Sequence, residues 1–183
     1  MNTLPAAPRP DASQPSALKM RPACEADVSA LVSIVSSSAD WYAPFVTDED
    51  LAEHDVDEAW ARKNLKKRKF YIGSVDGDAV GTVSLQDAGQ DVYLGYVYLH
   101  ADHTGHGYGR ELLDFARDRA HRAGFSGMVL IAHPSARWAI KAYERYGFTR
   151  IAHAPEDVLA WNDGWLKPYY EQGFHLYRYA IDA

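Results

Sequence analysis

The sequence predicts a single α/β domain with a mixed sheet, and three observations carry that expectation. Between Lys69 and His100 the apolar residues recur at the period of strands and are cut by turn residues at Asp76-Gly77 and at Asp87-Ala88-Gly89-Gln90. The run Gly105-His106-Gly107-Tyr108-Gly109 then opens a helix directly behind a strand. An apolar strand, a second helix and a last strand follow, the alternation of helices laid on a sheet. A chain of 183 residues, 47% apolar and 24% charged, is long enough to bury one core without staples.

Residues 1–16 are rich in Pro, Ala and Ser with almost no periodic apolar signal, so a disordered tail is expected ahead of a domain over residues 17–183. Leu18 to Arg21 reads as the first strand. Within Glu25 to Ser37, Val28, Leu31, Val32 and Val35 fall at helical spacing. After Trp41-Tyr42-Ala43-Pro44-Phe45, a helix is expected from about Asp48 to Lys67, with Thr47 as its cap and Asp50 three residues on. KFYIGSV, AVGTVSLQ and DVYLGYVYLH then form an antiparallel three-stranded meander. The helix after the glycines reaches about Ala123; Leu112, Leu113, Ala116, Ala120 and Ala123 make its apolar stripe and Gly124 ends it. GMVLIAH reads as a buried strand, Ala136 to Tyr146 as a helix closed by Gly147, and Phe174 to Ile181 as the final strand. No internal repeat is visible.

Composition excludes several classes. The lone Cys24 rules out an intramolecular disulfide framework and a cysteine zinc cluster, which makes a reducing cytoplasm the expected setting. No apolar run approaches the roughly 20 residues of a membrane span, and the first residues lack the apolar segment of a secretory signal. Net charge is −6, and the only dense cationic run is KNLKKRK, Lys63 to Lys69, which reads as a solvated helix end whose cations suit the helix dipole. Nucleic-acid and membrane partners are therefore not expected.

The chemistry-bearing signal is VYLHADHTGHGYGRELL. Three glycines at alternate positions let the backbone pass close to a ligand, while free N–H groups and the positive end of a helix dipole face phosphate oxygens. Arg110 in the first turn adds charge-assisted pairing. The plainer account is a tight turn that needs positive φ. A Walker loop is excluded because Gly109 is followed by Arg110-Glu111 rather than Lys-Ser/Thr, and a dinucleotide fingerprint because the glycines read G-x-G-x-G and follow an antiparallel meander. His100, Asp102, His103 and His106 crowd the same segment, but their spacing suits no metal site, so no metal is expected.

These residues resemble the GNAT acetyltransferase superfamily, whose pyrophosphate motif reads Arg/Gln-x-x-Gly-x-Gly/Ala at the start of a helix. Thr104-Gly105-His106-Gly107-Tyr108-Gly109 matches it in every glycine, and Thr104 stands where the family has Arg or Gln, a departure bearing on the side-chain part of phosphate binding alone. Ala142-Tyr143-Glu144-Arg145-Tyr146-Gly147-Phe148 is similar to the family's closing segment A-x-x-x-Y-x-x-x-GF, and His133 replaces a frequent family Asn near the cofactor. The resemblance covers residues 18 to 183 and is specific for 91 to 150. It implies a sheet of about seven strands with a central splay, flanked by about four helices.

What the resemblance further implies is direct acetyl transfer from acetyl-CoA to a primary amine. Backbone groups near Tyr98 and Leu99 would pair with the pantetheine arm, and Thr104, Gly105, His106, Gly107, Tyr108, Gly109, Arg110 and His133 would contact the cofactor. Tyr143 becomes the candidate acid for the leaving thiolate, although its stripe with Ile140 and Tyr146 suits plain core packing as well. For the base, Asp91, His100 and Glu171 are candidates of equal standing beside a water chain. Trp41, Tyr42 and Phe45, and Trp161, Trp165, Tyr169 and Tyr170, fall where relatives line the acceptor cleft and would hold an apolar or cationic acceptor; lid packing, core packing or a homodimer contact accounts for them equally. Asn162-Asp163-Gly164 reads as an exposed turn presenting the two tryptophans. The expected function is acetylation of a small-molecule amine, with a protein or peptide amine as the runner-up and a non-catalytic CoA-binding sensor as the rival from another class.

Overall fold

A computed structural model describes residues 18–42, 44 and 56–181, with Asp40 and Tyr42 described in their backbone only. The expected tail over residues 1–16 and the expected cap at Thr47 lie outside the described residues.

Seven strands form one sheet in the order β1-β2-β3-β4-β5-β7-β6. Strand β1 (Lys19–Pro22) lies antiparallel to β2 (Lys69–Val75), and β2 to β3 (Asp78–Ala88). The β2–β3 hairpin closes through Asp76 and Gly77, both at positive φ (50° and 95°), the primed turn that matches strand twist. Strand β4 (Asp91–Leu99) continues the meander and then pairs in parallel with β5 (Gly127–Ala132). Strand β7 (His175–Ala180) runs antiparallel to β5 on one side and to β6 (Thr149–Ala152) on the other. The mixed, seven-stranded sheet is the expected one, and β6 is the strand that residue patterning had not located.

Alternation along the strands divides the core between the two faces. Phe70 and Ile72 of β2 pack with Val28, Leu31 and Ile34 of α1 (Val28–Ser36) and Ala61 of α3 (Glu58–Lys67), while the intervening Tyr71 faces the opposite cluster. There Leu112, Leu113, Ala116 and Ala120, four of the five stripe residues read from sequence, lay α4 (Tyr108–Arg122) against Val80, Leu94, Met128 and Leu130, while Ala123 falls at the exposed C-cap, past the last turn that faces the sheet. A four-residue helix α2 (Ala39–Tyr42) follows α1. Helix α5 (Arg137–Tyr146) ends at Gly147, φ 118°, where an added Cβ would come 3.1 Å from the Tyr179 ring.

Two expectations change. The helix predicted from Asp48 to Lys67 is not continuous: Asp57 is extended (φ −118°, ψ 179°) and its carboxylate accepts from Trp60 N at 2.7 Å, so the described helix starts at Glu58. A further helix, α6 (Pro155–Gly164), precedes β7 and breaks where Asn162 and Asp163 take positive φ; that turn is exposed as expected, but its tryptophans point inward.

Candidate active site

The sheet opens along one seam. Strands β4 and β5 are paired over Asp91–Gly127, Val92–Met128 and Tyr93–Val129, after which β5 keeps β7 and loses β4. The register explains the divergence. Against β3, Ser84 sits opposite Gly95 and Thr82 opposite Tyr98, so two steps on β3 face three on β4. That extra residue is a β-bulge, and Tyr96 within it takes φ +49°, a strained value for a tyrosine. The bulge bends β4 away from its neighbour, and the β4–β5 ladder ends at Tyr93 and Val129.

Two cavities flank the seam. The first, about 500 Å³, is lined by Leu99, Thr104, Gly105, Gly107, Gly109, Arg110, Trp41 and Trp138 among others. Gly105 and Gly107 have φ +82° and +86°, and a Cβ built on either would meet no protein atom within 4 Å. The loop thus presents bare backbone to open space ahead of α4, whose cap is Gly107 and whose first N–H groups have no intrahelical acceptor. This arrangement fits a pyrophosphate, and the apolar groove behind it fits a pantetheine arm. Thr104 Oγ1 donates to Ala101 O at 3.1 Å, so its hydroxyl closes the turn before the loop. The His106 ring stacks on Tyr108 at 5.6 Å, and the exposed Arg110 reaches Asp114 at 3.8 Å. Trp41 meets Trp138 edge-on at 6.0 Å on this side of the seam.

The second cavity, about 300 Å³, is aromatic and charged: Tyr93, Tyr96, Tyr98, His133, Tyr143, Tyr169, Tyr170 and Phe174 surround Arg68 and Glu171. Val97, Tyr98, Ala139 and Tyr143 line both spaces, so Tyr143 stands at the junction. Its ring rests edge-on against Phe148 at 5.8 Å, a packing contact that leaves the residue a cavity wall as well. Burial pushes the Tyr93 phenol above its ordinary range; the Arg68 charge opposes that rise and Glu171 adds to it.

The expected site residues separate as follows. Tyr98, Leu99, Thr104, Gly105, Gly107, Gly109 and Arg110 gather on the glycine-loop groove, whereas His106 and Tyr108, stacked on each other, are not among its lining residues. His133 lines the aromatic cavity instead, its ring 5.5 Å from Phe174. Trp41 lines the groove, and the side chain of Tyr42, like Phe45, lies outside the described residues. Trp161 and Trp165 line neither space: they pack behind the aromatic wall with Val129, Val158, Leu166 and Leu176, Trp165 lying 5.3 Å from Tyr93. Of the three base candidates, Asp91 sits at the closed end of the seam, buried and held by Arg178 through bonds of 2.8 and 2.9 Å. His100 Nδ1 accepts from Asp102 N in the turn after β4. Glu171 alone of the three lines the cavity.

Sequence reasoning missed Arg68, Tyr96 and Trp138. Arg68 was absorbed in the solvated KNLKKRK run, yet α3 ends at Lys67 and the chain turns extended at Arg68 (φ −138°, ψ 152°), which sends its side chain inward between Tyr96 and Tyr169. Among the described residues no cluster of three His, Cys, Asp or Glu is arranged to hold a metal ion, and no helix is long and apolar enough to cross a membrane.

Residues 34–148 match the family model described as Acetyltransferase (GNAT) family. The Probable N-acetyltransferase camello of Xenopus tropicalis is 28% identical over an alignment of 134 residues that covers 67% of this chain and 60% of that relative. The chain therefore spans 60% of the length of the curated relative it matches. Among solved structures, PaiA N-acetyltransferase from Thermoplasma acidophilum, in complex with coenzyme A, aligns with a TM-score of 0.72 at 16% identity over 90% of this chain and 99% of that one. The ribosomal L7/L12 alpha-N-protein acetyltransferase RimL, in complex with coenzyme A, aligns with a TM-score of 0.68 at 19% identity over 92% and 97%. At these identities the two structures establish the shared fold.

Proposed function

The chain belongs to the acetyltransferase (GNAT) family, and on that premise we propose that it acetylates the primary amine of a small molecule directly from acetyl-CoA, with both substrates bound together. The observation that carries the reading is the meeting of the two cavities at Tyr98 and Tyr143. One space has the bare backbone and helix terminus that suit a pyrophosphate; the other has the size and charged lining of a small polar acceptor. A transfer step needs its partners in contact, and the seam is where contact is open.

The chemistry acetyl-CoA supplies when bound is an acetyl thioester, so a C–N bond to the acceptor forms as a C–S bond breaks. In this reading the chain's own residues orient the partners and move protons. The glycine loop, Tyr108 N and Gly109 N hold the pyrophosphate, and the open β4 edge at Tyr98 and Leu99 aligns the arm. Glu171 takes the first proton from the acceptor ammonium. Tyr143 Oη gives its proton to the departing sulfur and recovers one from the nitrogen as the amide forms. The buried Tyr93 hydroxyl stays protonated at neutral pH and serves as wall and hydrogen-bond donor. The same proposal takes residues 17–183 as one catalytic domain and the cytoplasm as its setting, where the exposed thiol of Cys24 stays reduced.

Thiol release from acetyl-CoA across amino acids, polyamines, aminoglycosides and basic peptides tests it. Release driven by small amines supports the proposal. Release by peptides alone moves the acceptor to a protein amine, and tight CoA binding with no release from any amine leaves a sensor.

A further inference from the structure

Arg68 and Glu171 line one cavity. We propose that the acceptor is a zwitterionic amino acid whose carboxylate is held by Arg68 and whose ammonium faces Glu171, an assignment that rests on the acetyltransferase reading above.

The Arg68 guanidinium lies 4.9 Å from the Tyr96 ring centroid and 4.8 Å from that of Tyr169. Its charged carbon thus sits over two phenol rings, neither of which is a strong acceptor for its five N–H donors. Among the described residues no carboxylate pairs with it. Its clamp is fixed in turn: Tyr169 stacks on Tyr93 at 5.5 Å and its hydroxyl accepts from Gln86 Nε2 at 3.0 Å, and Tyr96 packs against Trp60 at 5.0 Å. A preoriented, partly buried fork of donors suits a planar carboxylate in two-point contact.

Position follows from Gly95. A Cβ there would come 3.3 Å from one terminal nitrogen of Arg68, so the guanidinium lies over the bare backbone of β4, two residues past the last β4–β5 pair at Tyr93. The cation therefore marks the closed base of the splay, and Tyr143 marks its open junction with the groove. An acceptor with its carboxylate at the base directs its amine toward the junction at Tyr143, with Glu171 in the wall of the same cavity. A space of about 300 Å³ suits a molecule of that size. A diamine would place a second cation against Arg68, and an uncharged amine would leave the fork unmet.

The test compares kcat/KM for thiol release with L-amino acids, their methyl esters, the matching decarboxylated amines and dipeptides, using the parent chain, Arg68→Met and Arg68→Lys. Saturation-transfer NMR reads binding of the same compounds, and a thermal melt checks that each variant is folded. The parent should favour acid over ester by about 10- to 100-fold, the scale of hydrogen bonds to a charged group. Arg68→Met should bring that ratio near one, and Arg68→Lys, which keeps the charge without the fork, should restore part of it. Dipeptides, whose carboxylate lies farther from the amine, should rank with the esters. Acids that bind through Arg68 without thiol release would uphold this inference and sink the acetyltransferase reading. Esters and plain amines used as well as acids, a ratio unchanged in Arg68→Met, or no binding of any acid would overturn it.

Discussion

Gly109→Ala separates the two duties of the glycine loop, because stability and cofactor affinity should move in opposite directions. Gly105 and Gly107 require positive φ, so a side chain at either strains the backbone and confounds any loss of binding. Gly109 lies inside the first turn of α4 without positive φ, and its added Cβ would stand 3.6 Å from Leu99 Cδ1, an ordinary contact. Replacing a helical glycine by alanine stabilises by about 0.5–1 kcal/mol, which raises the thermal midpoint of a chain this size by about 1–4 °C. The same methyl stands on the groove wall beside N–H groups that must approach the pyrophosphate closely. Losing one such charge-assisted bond weakens acetyl-CoA by about 10- to 100-fold. Calorimetric titration with acetyl-CoA beside a thermal melt reads both quantities. A raised midpoint with unchanged affinity would refute the backbone cradle, and a lowered midpoint would refute the strain-free placement of Gly109.

Tyr143→Phe keeps the ring against Phe148 and removes only the hydroxyl, so turnover should fall by about 10²–10⁴-fold with acetyl-CoA affinity nearly unchanged; equal turnover in rapid-mixing assays would end its role as acid. Chiefly through its bonds to Arg21, the Asp27 carboxyl is held at about 2, below its ordinary 3.8. Because the folded value is the lower one, the pair stabilises the fold above about pH 4 by about 2 kcal/mol and loses that contribution as pH falls from 3.8 toward 2. Asp27→Asn should lower urea stability at pH 7 by this amount and flatten the acid limb, and an unchanged limb would refute the assignment. Gly127→Ala would put a methyl 2.7 Å from the Tyr179 carbonyl and 2.6 Å from Asp91 Oδ1, so a loss of about 1–3 kcal/mol is expected in the same urea experiment.

How far the fold could be read from sequence depended on how local its signals are. The hairpin at Asp76-Gly77 and the stripe of α4 need only neighbouring residues to be recognised; the hairpin stands as expected and the stripe does so at Leu112, Leu113, Ala116 and Ala120, short of the exposed Ala123. Strand β6 has four residues, three of them exposed, so it carries no alternation to detect. Helix α6 did carry a signal in Pro155 at its first turn with Glu156 and Asp157 behind it. That signal was overlooked because the following Asn162-Asp163-Gly164 drew the segment toward a loop.

The site divides along the same line. The glycine loop is contiguous, its chemistry is backbone chemistry, and its Thr104, Gly105, Gly107, Gly109 and Arg110 stand together on one groove. The aromatic cavity is assembled from four segments, and its form depends on one inserted residue in β4 that is visible only in the pairing of Ser84 with Gly95 and Thr82 with Tyr98. Without the bulge, alternation assigns Tyr96 and Tyr98 to one face and gives no reason for a seam. Arg68 illustrates the same dependence at a single residue. Neighbouring lysines give it the look of a solvated cation, and only the end of α3 at Lys67 turns it against two rings that are 28 and 101 residues further along the chain. On the proposed reading, acceptor selection would rest on contacts between distant segments, whereas pyrophosphate binding would rest on one short loop.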